Sequence, residues 1–202
     1  MDGVIFQPRN FWLELHRVFG TLEKGIELTK KYLHTDYNRL VKEVVVKLWR
    51  GKDAGLYYDL IASIEYNPSV AEVFAKIKKE DWLVALISSG SMDLARRAQH
   101  DFGIDFIYAN ELVIKNGKVS GDFVGPLGAG TTEKVNIIKH LCEDLKINLN
   151  DVMYVGDSDT DIDAFKIVGK SIAFNCQSAE LKKVAKHIVD GNDLRKILPL
   201  LA

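Results

Sequence analysis

The chain has 202 residues, 47% of them hydrophobic and 27% charged, with a formal net charge of -1. That is the profile of a globular protein with a sizeable core and room for a small insertion. The charge gives no reason to expect nucleic acid or an anionic membrane as partner. No apolar run approaches the roughly 20 residues of a membrane span and no signal peptide precedes the first motif, so cytoplasm is the expected location.

The chain opens with MDGVIF, an acid at position 2, a glycine and three apolar residues. Residues 10 to 80 then show helical periodicity and no convincing strand. FWLELHRVF puts Phe11, Leu15 and Val18 on one stripe, and YNRLVKEVVVKLW repeats the habit with Leu40, Val44, Lys47 and Leu48. A further helix starts after Asn67-Pro68, with the proline near its first position. From Trp82 the texture changes: WLVALIS is a continuous apolar run, as in a parallel strand covered on both faces. A helix follows with Leu94, Ala98 and Phe102 aligned and Gly103 as its stop. After the strand DFIYAN, Asn116-Gly117 sits between two alternating stretches and predicts a hairpin. A helix with Val135, Ile138, Leu141 and Leu145 on its buried stripe comes next. The strands VMYVG, SIAFN and HIVD, separated by helices, complete the chain. Cys142 and Cys176 fit no metal-ligand spacing and are expected to be buried thiols. Strands alternating with helices imply a mostly parallel sheet. The expected fold is α/β: a Rossmann-like core from residues 1–9 and 78–202, with a β-hairpin and a helical module inserted over residues 10–77.

Three constellations carry chemistry. Ser88, Ser89, Gly90 and Ser91 close a strand and open a helix. Outward N–H groups and small side chains there let an anion approach, and Ser88 adds a hydroxyl. Read alone, the serines are an ordinary helix cap. Lys134 falls in the first turn of a helix capped by Thr131 or Thr132. A cation there opposes the helix dipole by roughly 0.3–1 kcal/mol, and is better tolerated with an anion in front of it. Read alone, it is a solvated lysine beside Glu133. Asp157, Asp159, Asp161 and Asp163 crowd the end of the VMYVG strand, and a divalent cation relieves their repulsion. An EF-hand is excluded, because Ile162 and Val168 stand where that loop needs Gly and Glu. Asp159 or Asp163 alone reads as a helix cap or first-turn acid. Together the three constellations bind phosphate and a hard cation; they lack only a nucleophile.

On these residues the chain resembles the haloacid dehalogenase superfamily, in the branch similar to phosphoserine phosphatase. LISSGS is similar to the family's second motif, Lys134 to its third and VGDSDTD to its fourth. The helical module resembles a C1-type cap, and YANELVIKNGKVSGDF resembles the substrate-side hairpin region of that branch. The resemblance implies an Mg2+-dependent hydrolase of small phosphorylated metabolites that works through an aspartyl-phosphate. Asp2, Ser88 and Lys134 would be catalytic. Ser88, Ser89, Gly90, Lys134 and Arg9 would bind phosphate and substrate. The Asp2 backbone carbonyl and Asp157 would hold Mg2+, with Asp161 close by or through water. A monomer or homodimer is expected.

The family's first motif reads D-x-D-G-[TV] after an apolar strand, and MDGV matches it only from the x onward. Asp2 takes the second place, as general acid and then base; the nucleophile would precede Met1. The strand leading to it would lie between those ending at Ser88 and Gly156. Strands pair about 4.8 Å apart, so an empty slot there would orphan backbone groups on both neighbours. Three remedies are expected: a natural start upstream, residues 3–6 slipping into the slot, or a strand from another chain. Residues 1–202 alone are expected to be inactive. The alternative is a non-catalytic phosphate- and Mg2+-binding module of the same fold; a receiver-type signalling domain is too short and lacks a helical insertion. The cap glutamate that meets a serine ammonium in this branch falls on Arg9, and Arg39 and Arg50 are candidates for the carboxylate partner. A small anionic phosphomonoester is therefore expected rather than phosphoserine.

Overall fold

The computed structural model describes residues 1–201. Helices come first: α1 (Phe11–Val18), α2 (Leu22–Tyr32), α3 (Tyr37–Val41), α4 (Ala54–Ser63) and α5 (Val70–Lys79). α3 runs on into a π-helical stretch over Lys42–Trp49, where the Arg50 N–H reaches back five residues to the Val45 carbonyl at 2.9 Å. Then follow β1 (Ala85–Ser91), α6 (Met92–Phe102), β2 (Phe106–Lys115), β3 (Lys118–Val124), α7 (Thr131–Leu145), β4 (Met153–Gly156), α8 (Ile162–Ile167), β5 (Lys170–Phe174), α9 (Ala179–Val184) and β6 (His187–Val189). α5 packs on α6 and on the C-terminal turns at Leu194–Leu200, so it travels with the strands, while α1 to α4 stand over them. No helix among the described residues is long and apolar enough to cross a membrane.

The strands form two three-stranded sheets, ordered β1-β2-β3 and β4-β5-β6. Every pairing is parallel except the β2–β3 hairpin, whose Asn116 and Gly117 both take positive φ, 52° and 71°. Two left-handed residues in succession match the right-handed twist of the flanking strands. The facing edges of β1 and β4 do not pair. Between them lies a cleft of about 770 Å³, walled by Leu86 and Ile87 on one side and Met153 and Val155 on the other. The expectation that residues 3–6 slip into this slot is wrong. Gly3, at φ 68°, starts a tight turn in which the Met1 carbonyl accepts from the N–H groups of Val4, Ile5 and Phe6 at 3.3, 2.8 and 3.2 Å. The chain folds back on itself, and Phe6 bridges to Tyr66 instead.

The cleft also explains several departures from the expected burial. On α7 the buried residues are Lys134, Ile138 and Cys142; Leu145 is 36% exposed and borders the cleft with Leu141. Trp82 and Leu83, 43% and 54% exposed, border it too and precede β1 rather than belonging to it. Elsewhere, Val18 is exposed at the end of α1, and α5 begins at Val70 after a left-handed Ser69, two residues later than Pro68 suggests. Gly130, not Thr131 or Thr132, occupies the cap position of α7, with no side-chain bond; both threonines are exposed. Cys142 and Cys176 are free and buried, as expected.

Candidate active site

β1 and β4 end, and α7 begins, at one rim beneath α1 to α4. All eight residues singled out from the sequence (Asp2, Arg9, Ser88, Ser89, Gly90, Lys134, Asp157 and Asp161) line a single cavity of about 320 Å³ at this rim. Asp159 and Asp163 do not line it: Asp159 takes the Ser178 hydroxyl and Asp163 pairs with Lys166 at 2.8 Å. The two crowded aspartates that read as local structural acids are therefore those.

The serine loop is held open towards the cavity. Ser88 is buried, and its Oγ accepts the Gly90 N–H at 3.1 Å, leaving the hydroxyl proton to donate. Ser91 is the cap: its Oγ accepts the Leu94 N–H at 3.4 Å and meets the Tyr57 hydroxyl at 2.8 Å. The cap reading holds for Ser91, while Ser88 lines the cavity. Gly90 is required by crowding. A Cβ there would stand 3.2 Å from both Asp2 Oδ1 and Ser88 Oγ, and 2.5 Å from the Met1 methyl. Gly130 is required for a different reason: its φ of 103° is one that side-chain-bearing residues rarely adopt, while a Cβ there would meet Lys134 and Ser89 only at ordinary contact distances.

Lys134 is only 5% exposed, against the plain expectation of a solvated side chain. Its Nζ donates to Asp161 Oδ1 at 2.7 Å and to Thr160 Oγ1 at 2.9 Å. Asp161 has no spare oxygen. Oδ1 also accepts from the Tyr154 hydroxyl at 2.9 Å, and Oδ2 accepts the N–H groups of Asp157 and Ser158 at 3.1 and 3.2 Å. Burial pushes the Asp161 carboxyl up, but Lys134 and the Ser158 N–H outweigh it and hold it below the ordinary carboxylate range. Asp161 thus aims Lys134 and pins the turn after β4.

Asp2 is held by one oxygen only. Oδ2 accepts the Phe11 N–H at the start of α1 at 2.8 Å, while Oδ1 is the one buried side-chain polar atom among the described residues that finds no partner. Burial raises its carboxyl above the usual range, opposed by the chain's amino terminus, Phe11 N–H and Lys134. Asp157 is pushed up to about 6, first by burial and then by Asp161 and Asp2. No three carboxylate, imidazole or thiol groups converge on one point among the described residues. The Asp157 carboxylate, crowded by two other buried acids, still fits Mg2+, which takes one or two carboxylates and keeps much of its water. Arg9 is exposed; its Nη2 donates to the Asn175 carbonyl at 2.7 Å, so its fork is turned to the end of β5. Arg39 stacks over Tyr32 and Arg50 lies against Gly121; neither lines the cavity.

Three organising residues escaped the sequence reading. Fully buried Asn110 donates to the Ser89 carbonyl at 3.0 Å and accepts the Leu127 N–H at 3.1 Å, tying β2 to the serine loop. Trp12 donates its indole N–H to the same carbonyl at 2.9 Å, fastening α1 to that loop. Asn67 donates to the Gly3 and Val4 carbonyls at 3.1 and 2.8 Å and so fixes the Asp2 turn. Asn67-Pro68 was legible as a helix boundary; the other two carry no local signal.

The sequence matches the haloacid dehalogenase-like hydrolase family over residues 108–195, which take in the hairpin, Lys134 and the aspartate cluster. A phosphoserine phosphatase of Methanocaldococcus jannaschii is 34% identical over 138 residues, 68% of this chain and 64% of that protein. A solved structure of substrate-bound phosphoserine phosphatase superposes at a TM-score of 0.86 with 26% identity, covering 99% of this chain and 94% of that one. The chain belongs to the haloacid dehalogenase superfamily, in its phosphoserine phosphatase-like branch. Its match spans just under two thirds of the Methanocaldococcus jannaschii protein's length. A second structure within the superfamily, a phospho-aspartyl intermediate analogue of phosphoserine phosphatase, gives the same TM-score of 0.86 at 26% identity, covering 99% of this chain and 95% of that one.

Proposed function

We propose that the protein is a phosphomonoester hydrolase that works through an aspartyl-phosphate, with Mg2+ as its cation and a small phosphorylated metabolite as its substrate. The observation that carries this reading is the crowding at Gly90. There Asp2 Oδ1 and Ser88 Oγ stand equally near one point of a cavity that Lys134 also lines. An acid, a hydroxyl donor and a cation then share a space suited to a phosphoryl group.

The nucleophile would be an aspartate at the end of a strand occupying the cleft between β1 and β4. Its carboxylate oxygen attacks phosphorus, the ester P–O bond breaks, and the departing alcohol takes a proton from Asp2. The raised Asp2 carboxyl suits a proton donor. Asp2, now a carboxylate, takes a proton from water; the water oxygen attacks phosphorus, the aspartyl P–O bond breaks, and phosphate leaves. Ser88 and Lys134 hold the non-transferred oxygens, with the Ser89 and Gly90 backbone beside them. Mg2+ would be held by Asp157, the Asp2 backbone carbonyl and the nucleophile, and would supply neutralisation of the phosphoryl charge. Asp161 acts through Lys134. The helices α1 to α4 serve as a cap, anchored by the Phe11 N–H on Asp2 and the Trp12 indole on Ser89.

The test is turnover of p-nitrophenyl phosphate in Mg2+. Residues 1–202 alone are expected to be inactive. The same chain preceded by an extended apolar segment ending in aspartate is expected to be active, and to lose about 10³-fold or more when that aspartate is asparagine. Robust turnover by residues 1–202 overturns the assignment of the nucleophile. Binding of phosphate and Mg2+ with no turnover by either chain favours a non-catalytic module of the same fold.

A further inference from the structure

The cavity has two unlike ends. The ionisable acidic and basic side chains lining it, His16 apart, are Asp2, Arg9, Lys134, Asp157 and Asp161; all five belong to the rim, as does Met1, which carries the chain's amino terminus. The end formed by the helices is apolar and aromatic. Trp12 lies 6.0 Å from Trp49 and 5.7 Å from Phe123, centroid to centroid, and Leu13, Leu33 and Val41 present half-buried side chains. The π-helical stretch contributes: its wider turn brings Val45 and Trp49 to the same cavity.

Only two titratable groups reach this end, and both are neutral. His16 is lowered to about 4 by burial, and its Nδ1 is met by the Trp49 indole N–H at 3.3 Å and by Thr21 Oγ1 at 2.8 Å. Tyr37 is pushed up to about 12 by burial, and its hydroxyl accepts from Asn110 at 3.3 Å. An ammonium or carboxylate placed against these walls would lose its water and gain no counter-charge. Arg9, turned to Asn175, does not supply one.

We propose that the helical end of the cavity selects phosphomonoesters of an uncharged, apolar alcohol, aryl or branched alkyl, and disfavours amino-acid phosphates. This rests on the hydrolase reading above and deepens it, since the same site holds the phosphoryl group at the rim. It also replaces the expectation of a small anionic substrate drawn from Arg9. At about 320 Å³ the cavity suits one ring and its phosphate, within the lower range of ligand pockets.

Binding tests the proposal without turnover. Residues 1–202 in Mg2+ are titrated by calorimetry, and by tryptophan fluorescence, with inorganic phosphate, benzylphosphonate and 2-amino-4-phosphonobutyrate, a phosphoserine isostere. Benzylphosphonate is expected to bind about 10-fold or more tightly than either of the others, the gain from burying a ring. Val41→Glu, on the half-buried wall, is expected to bring the ratio of benzylphosphonate to phosphate affinity towards one; should that variant fail to fold, the wild-type ranking decides. Phosphate that competes with a benzylphosphonate bound no more tightly overturns this inference alone, as does tighter binding of the amino-acid phosphonate. Failure of phosphate to bind or compete at all, both in residues 1–202 and in the chain preceded by the strand ending in aspartate, overturns the hydrolase reading and the inference with it; if only the longer chain binds phosphate, the ranking is read there.

Discussion

The molecule holds two neighbouring cavities that share Met1, Val4, Ile87, Tyr154 and Val155 on their walls, yet differ in kind. The one at the rim has carboxylates, an ammonium and hydroxyls on its floor. Beneath it, the larger cleft between β1 and β4 is mostly apolar, with Asp81, Asn150, Asp151 and Lys170 among its lining residues, and is bordered by unpaired strand edges. The difference follows from where on a strand each sits. Alternating strand–helix units leave N–H groups and loops at the carboxyl ends of the strands, where polar side chains are satisfied and reachable. Along the strand bodies both faces are covered, so the residues are apolar and the backbone alone is polar. The rim is thus furnished for a charged ligand and the cleft for a peptide strand.

The largest expected effect breaks the rim. Lys134→Ala leaves the Asp161 carboxylate, 4% exposed, without its cation. Removing one partner of a buried pair costs about 3–5 kcal/mol. Urea denaturation should show that loss, together with loss of phosphate binding. A change below about 1 kcal/mol would mean that water reaches the pair, and that Lys134 is no more than the solvated lysine its sequence neighbourhood suggests.

A middle-sized effect separates the floor of the rim cavity from its wall. His16 on the wall titrates at about 4 when folded, below its ordinary 6.5. Between those values the unfolded chain holds a proton that the folded chain does not, so stability falls as pH drops from about 6.5 towards 4, by about 2 kcal/mol at pH 5. Asp157 on the floor is raised to about 6, so acid favours the folded state through it, with the opposite sign. Chemical denaturation of the wild type between pH 7 and 5 should therefore show partial cancellation. His16→Phe should unmask a rise in stability on acidification. An unchanged pH profile in that variant would show His16 to be solvated.

These contrasts mark what was legible in the sequence. Gly103 and Asn116-Gly117 were readable because positive φ is a local demand that few residues meet, and both take it, at 68° for Gly103 and at 52° and 71° for the pair. The order of hydroxyl, lysine and aspartate was readable because strand ends converge in any parallel sheet. The partner of Lys134 was not, since 27 residues separate it from Asp161 and only the packing of α7 against the turn after β4 joins them. Nor was the π-helical turn: KEVVVKLW has ordinary helical periodicity, and no residue in it marks the wider turn. The stripe on α7 departs from its spacing at Leu145 because apolar periodicity marks a face without saying what covers it, and here Leu145 faces the cleft.

The smallest expected effect concerns that cleft, and it sharpens the comparison most. In residues 1–202, Leu145 is 36% exposed, so Leu145→Lys should change the unfolding free energy measured in urea by no more than about 0.5 kcal/mol, the usual range for a surface change. A strand seated between β1 and β4 would bury the same side chain. In a chain carrying that strand, Leu145→Lys should cost about 1.5 kcal/mol or more, because an apolar side chain withdrawn from water is worth that much and a lysine in its place must reach back out. The informative quantity is the difference between the two backgrounds, which removes whatever the substitution does to α7 itself. Equal small costs in both would mean that the added segment lies outside the cleft, and the strand assigned to carry the nucleophile would have to be placed elsewhere. Equal large costs would mean that the cleft is closed in residues 1–202 in solution, with β1 and β4 drawn together and no slot for a strand to enter.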